Sequence, residues 1–212
     1  REDVKALEAI RARVGDGLEL MVDCNQGWRM PWDTSAPWNY KDALQVAREL
    51  ERLGIYWMEE PLHRADRRGM ADLRQAVSIR IAGGEMTREL HEIRTLIDRH
   101  CVDVLQPDAV LTGGITGMRG IARQALDHNL IFTPHTWSNG MGVLANVHLA
   151  AGAGQSPYVE FPFDPPEWGL DRRDFMIAEK LECDRDGNIV LPDRPGLGVI
   201  LDEKMLEKTR IE

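Results

Sequence analysis

Cysteine is scarce in this sequence: Cys24, Cys101 and Cys183 are the only three in 212 residues, and they lie far apart. An odd, scattered set excludes a disulfide framework and a cysteine-based zinc site, so buried free thiols in a reducing cytoplasm are expected. Positive charge is scarce too. Lys and Arg number 26 against 35 Asp and Glu, the net charge is −9, and no basic run forms a stripe. Nucleic acid and anionic membrane surfaces are therefore not expected as partners. An acidic substrate stays open, because a bound divalent cation reverses the local sign. No apolar stretch is long enough to span a bilayer, no signal peptide opens the chain, and no linker or low-complexity segment divides it. A cytoplasmic location follows as an expectation. Arg1-Glu2-Asp3 reads as the middle of a protein rather than its start.

What the chain does contain is one repeated pattern. Tyr56-Trp57-Met58-Glu59-Glu60-Pro61 is a short apolar run ending on two carboxylates and a proline. Such a run between turn signals reads as a buried strand, whose end lies at the rim of a sheet. The same reading holds for Leu18 to Val22, Ile79 to Ala82, Val102 to Leu105, Leu130 to Thr133 and Tyr158 to Phe161. Between them, helical spacing predicts helices over Glu2 to Val14, Lys41 to Leu53, Asp66 to Val77, Thr87 (as N-cap) to Arg99, Gly113 to about His128 and Asn139 to about Ala151. Strict alternation predicts an α/β fold with a parallel sheet and helices outside it. No solenoid consensus accompanies the spacing, so a (β/α) barrel is the better home. Six strands are two short of a closed eight-stranded barrel, and six alone leave two apolar edges unpaired. The expectation is a partial barrel, residues 1–212, whose first strands precede Arg1, with an irregular, proline-punctuated tail over residues 164–212.

The strand ends offer Asp23, Glu59, Glu85, Asp108, His135 and Glu160. In a barrel these ends converge on one mouth, where catalytic residues sit. Asp23, Glu59 and Glu85 on successive strands would repel one another there. A hard divalent cation removes that penalty, and Mg²⁺ suits an all-oxygen set better than zinc does. The plainer alternative is that these residues cap the helices that follow. His135 is the one histidine at a strand end, and Asp108 precedes it by one unit; a carboxylate on one ring nitrogen raises the basicity of the other. A purely structural His–Asp bond is the alternative. Glu160, across the mouth, could donate a hydrogen bond if protonated. The loop from Trp28 to Trp38 is rich in Trp and Pro; it could help close the mouth, but its apolar residues read rather as cover for a helix.

Together, Asp23-x-Asn25, Trp57-Met58-Glu59-Glu60-Pro61, Gly83-Gly84-Glu85, Gln106-Pro107-Asp108 and Pro134-His135 make the chain resemble the barrel of the enolase superfamily, mandelate racemase subgroup. The resemblance implies strands 3 to 8 of that barrel, with the N-terminal capping domain and first strands absent. It implies Mg²⁺ held by Asp23, Glu59 and Glu85, with Glu60 behind the ligands, and His135 with Asp108 as the acid/base pair. It further implies Glu160 bonded to a substrate carboxylate oxygen and Asn25 near a substrate hydroxyl. A second base, on a strand before Arg1, is implied as well.

Such a site removes the proton next to a carboxylate through a stabilised enediolate. The expected reaction is dehydration of an acid sugar, a hexonate or aldarate, by a lyase. Racemisation or epimerisation of a 2-hydroxy acid and a non-catalytic barrel protein are the alternatives. The expected partner is a small carboxylate substrate, and a homo-oligomer that needs the missing N-terminal portion is the expected assembly.

Overall fold

Side chains along a strand alternate between two faces, and here each face meets a different neighbour. The computed structural model describes residues 2–154 and 156–211; Arg1, Gln155 and Glu212, and with them both ends of the expected 1–212 barrel unit, lie outside that description. Five strands, β1 (Val22–Asp23), β2 (Trp57–Glu59), β3 (Arg80–Gly83), β4 (Val104–Leu105) and β5 (Ile131–Phe132), form one sheet in sequence order with every pairing parallel. Helix α1 (Glu2–Val14) precedes β1. The connections between strands are α2 (Tyr40–Arg52), α3 (Arg67–Ala76), α4 (Leu90–Asp98) and α5 (Gly114–Asp127), and α6 (Gly140–Ala153) follows β5. Two short helices, α7 (Leu170–Arg173) and α8 (Glu203–Lys208), lie in the tail. Among the described residues, no helix is long and apolar enough to cross a membrane.

Helices α2, α3 and α6 start where side chains can satisfy their free N–H groups. Asn39 accepts from the backbone of Lys41 and Asp42, and the Asp42 side chain returns a bond to the Asn39 N–H, a reciprocal cap for α2. Asp66 caps α3 by accepting the Gly69 N–H, and Asn139 caps α6 by accepting those of Met141 and Gly142, without the return bond.

Met58, Ile81, Leu105 and Phe132 pack among Leu50, Ile93, Ile97 and Ile121, so one face of the sheet is sealed by the helices. Each such side chain stabilises the fold by about 1.5–3 kcal/mol through burial. Trp57, Ala82 and Val104 form a separate cluster with Met21, Tyr56 and Ile131 on the other face. Two residues beyond Met21, Trp57 and Val104, strand periodicity keeps Asp23, Glu59 and Gln106 on that second face. Asp23 and Glu59 therefore stand away from the helices.

Several expectations are corrected. Among the described residues the ladder has five strands, not six: Tyr158 to Phe161 runs beside β5 without joining it. Pro157 and Pro162 bracket the segment and have no N–H to give a ladder, and side-chain hydroxyls take the carbonyls instead. Ser156 Oγ donates to the Phe132 carbonyl at 2.5 Å, and Thr133 Oγ1 to that of Tyr158 at 2.6 Å. Strand β1 is shorter than Leu18 to Val22 and shifted toward Asp23. Thr87 does not cap α4; it is buried in a turn, its N–H donating to Gly84 O, and the helix starts after Glu89. Of the cysteines only Cys101 is buried; Cys24 is half-buried and Cys183 exposed.

Candidate metal and acid–base site

The register of β1 on β2 sets Asp23 directly beside Glu59. Past the strands the two chains stay tied, with Cys24 N–H donating to Glu59 O at 2.9 Å and Gln26 N–H to Glu60 O at 3.0 Å. Asn25 and Glu60 both adopt positive φ, 50° and 43°, at the turn; Asn25 N–H closes back on Asp23 Oδ1 at 2.8 Å. Gly84, at φ 126°, a conformation side chains resist, lets β3 swing Glu85 toward the other two. Asp23, Glu59 and Glu85 each offer a carboxylate oxygen, and the three lie within 4.8 Å of one another.

That crowding shows in the acidities. Loss of water around Asp23, partly offset by the Asn25 N–H and reinforced by the Glu85 charge, pushes its carboxyl up to about 6, although the residue keeps solvent access at the mouth. Burial, then the Asp23 charge, pushes Glu59 up to about 8. Three carboxylates this close, two of them pushed well above their ordinary range, are what a hard divalent cation relieves, and the set contains no sulfur or nitrogen. The residues present fit Mg²⁺.

His135 stands on the loop after β5, with Nδ1 3.0 Å from Asp108 Oδ2 and Nε2 3.7 Å from Glu85 Oε2. Burial alone would lower the imidazole, but its bond to Asp108 and the charges of Glu160 and Glu85 outweigh that and raise it to about 9. Burial would raise Asp108; the bonds from His135, Asn146 and the Val110 N–H outweigh it and hold the carboxyl below its ordinary range. Glu160 Oε2 accepts the Thr136 N–H at 2.5 Å.

A cavity of about 510 Å³ is lined by Asp23, Asn25, Trp28, Glu85, His135 and Glu160, among others. Glu59 and Asp108 stand behind that lining, beside the other carboxylates and His135 respectively. Asp23, Asn25, Glu59, Glu85, Asp108, His135 and Glu160 thus meet in one region, with Glu60 buried close enough to feel the charges of Asp23, Glu59 and Glu85.

Three others were not singled out. Trp28 Nε1 donates to Glu85 Oε1 at 2.7 Å and lines the cavity, in keeping with the mouth-closing reading of its loop rather than the favoured helix-covering one; Trp38 does pack on the core, and Trp32 is 71% exposed. Gln106 Nε2 donates to Glu59 Oε2 at 2.8 Å, and strand periodicity from Val104 could have found it. Asn146, inside an apolar helix, donates to Asp108 Oδ1 at 2.8 Å; its isolation among apolar residues was the available signal.

A family profile described as enolase C-terminal domain-like matches residues 1–205. The chain belongs to the enolase superfamily. Within the superfamily, it is 32% identical over 207 residues to the arabinonate dehydratase of Saccharolobus solfataricus, covering 98% of this chain and 51% of that protein. Among solved structures it superposes with TM-score 0.84 on a 3,6-anhydro-D-galactonate cycloisomerase from Zobellia galactanivorans (33% identity, 98% of this chain, 54% of that one). It superposes with TM-score 0.81 on an L-talarate dehydratase from a Polaromonas species, complexed with Mg and L-glucarate (33% identity, 99% of this chain, 52% of that one). The superfamily chain therefore spans about half the length of the relatives it matches.

Proposed function

We propose that the protein dehydrates an acid sugar, a hexonate or aldarate, by removing the proton next to its carboxylate. One observation carries the reading: a three-carboxylate cluster within 4.8 Å faces a histidine whose far nitrogen is bonded to Asp108. The dehydratase relatives, one of them with Mg and L-glucarate bound, support the substrate class.

Asp23, Glu59 and Glu85 would hold Mg²⁺, with Trp28 and Gln106 orienting two of the three. A cation there supplies Lewis-acid stabilisation of the charge that grows on the substrate carboxylate as its α-proton leaves. His135 acts in its unprotonated form, reached below its raised value of about 9 only when the Glu85 charge that helps hold it up is neutralised; Nε2 then takes that proton from carbon 2, and the C–H electron pair moves into the enediolate. Asp108 at Nδ1 stabilises the resulting imidazolium. The same Nε2 then gives the proton to the hydroxyl leaving carbon 3, so water departs and an enol remains that tautomerises to the 2-oxo-3-deoxy acid. Glu160, held through one oxygen by Thr136, faces the substrate carboxylate, and Asn25 a nearby hydroxyl.

The test is α-proton exchange in D₂O and 2-oxo acid formation across hexonates and aldarates, with and without EDTA. Exchange that EDTA abolishes and His135→Asn removes is the expected result. Exchange unchanged in EDTA overturns the reading, and exchange without loss of water redirects it to racemisation.

A further inference from the structure

Asp108 divides its carboxylate between two tasks. Oδ2 faces His135, while Oδ1 accepts two bonds, from Val110 N–H at 2.8 Å and from Asn146 Nδ2 at 2.8 Å. Asn146 belongs to α6, the helix that follows the His135 loop, so one unit of the fold carries both the histidine and a clamp on its partner. The clamp has a second jaw: Asn146 Oδ1 accepts the Ala109 N–H at 2.9 Å, and the remaining amide proton goes to Gly142 O at 3.2 Å.

Both protons of the amide are thus used, and its oxygen has a partner, in a residue with 0% exposure. Its neighbours on α6, Val143, Leu144, Val147, Leu149 and Ala150, are all buried and apolar. A polar amide in such a setting costs stability unless its bonds are made, so packing alone would favour an aliphatic side chain there. Asn146 also grips the backbone next to Asp108 and the carboxylate itself, which leaves the side chain little freedom to turn Oδ2 away from His135.

We infer that Asn146 is the positioning residue of the Asp108–His135 pair, holding Asp108 so that Oδ2 alone is offered to the imidazole. This rests on the reading of His135 as the proton carrier, but the contact itself needs neither metal nor substrate. The far-downfield proton resonance of a His–Asp hydrogen bond reports it directly, assigned by its loss in His135→Asn.

In the purified protein, Asn146→Leu is expected to abolish or shift that resonance, and Asn146→Asp, nearly the same shape, to do so once the new carboxylate ionises. Leu149→Ala, which opens the same helix without touching Asp108, is expected to lower Tm and leave the resonance in place. Mg²⁺ affinity by calorimetry is expected to be unchanged in both Asn146 variants. If the exchange assay succeeds, kcat falls about 10- to 100-fold while KM holds. A folded Asn146→Leu or Asn146→Asp protein that keeps the wild-type resonance and kcat overturns the inference. Failure of every substrate with the resonance still dependent on Asn146 would count against the proposed function alone.

Discussion

The indole N–H of Trp28 donates to Glu85 Oε1 at 2.7 Å, joining the loop after β1 to a carboxylate that follows β3. One oxygen of Glu85 is thereby spoken for, and the other, Oε2, lies 3.7 Å from His135 Nε2. A hydrogen bond to a charged group contributes about 1.5–3 kcal/mol. Trp28→Phe is therefore expected to weaken Mg²⁺ binding about tenfold while leaving the fold intact. Calorimetric titration checks it, and wild-type tryptophan emission should respond to Mg²⁺ more strongly than that of the variant.

Metal binding should be visible without turnover. With Mg²⁺ at 100 times its Kd the folded state gains about 2.7 kcal/mol, or about 5–10 °C in Tm for a chain of this size. Asp23→Asn, Glu59→Gln and Glu85→Gln should each erase most of that shift in scanning calorimetry. A full shift retained in any of them removes that residue from the set.

The stability of the metal-free protein should fall as pH rises from about 5 to 9. Asp23, Glu59 and Glu60 are raised to about 6, 8 and 8, so the folded state binds more protons than the unfolded one and loses that advantage on ionisation. His135 acts in the same direction: raised to about 9, it stabilises fully below its unfolded value and loses this as pH passes 9. Asp108, held low, acts oppositely and only in acid. Denaturant titrations across this range should show the decline, and the Tm gain from Mg²⁺ should be larger at pH 9 than at pH 5.

Glu60 is buried with Oε2 unpartnered, its carboxylate packed against the Cα of Gly27. A methyl at residue 27 would land on that carboxylate, so Gly27→Ala is expected to cost about 1–3 kcal/mol. Glu60→Gln removes a charge that burial disfavours and should raise the Tm of the metal-free protein at pH 9 more than at pH 5. Equal effects at both would show that ionisation of Glu60 is not what limits stability.

Much of this site was legible before any coordinates. Asp23, Glu59 and Glu85 announce themselves because each ends a short apolar run, and a run's burial is recorded in its own composition. The helices read well for the same reason, since their apolar spacing is local, whereas the one N-cap read from the sequence, Thr87, lies in a turn before α4. Tyr158 to Phe161 misled because ladder membership depends on which donors the facing carbonyls take, and those of Phe132 and Tyr158 accept the Ser156 and Thr133 hydroxyls instead of ladder N–H groups.

The order of strands and helices, and the acidic rim they create, were determined by the sequence alone, through patterns that close within a few residues. Which atoms meet was decided only by the tertiary structure: Trp28 with Glu85 across 57 positions, Gln106 with Glu59 across 47, Asn146 with Asp108 across 38. A hydrogen bond depends on a separation of about 3 Å in space, and periodicity along a chain carries no measure of that distance.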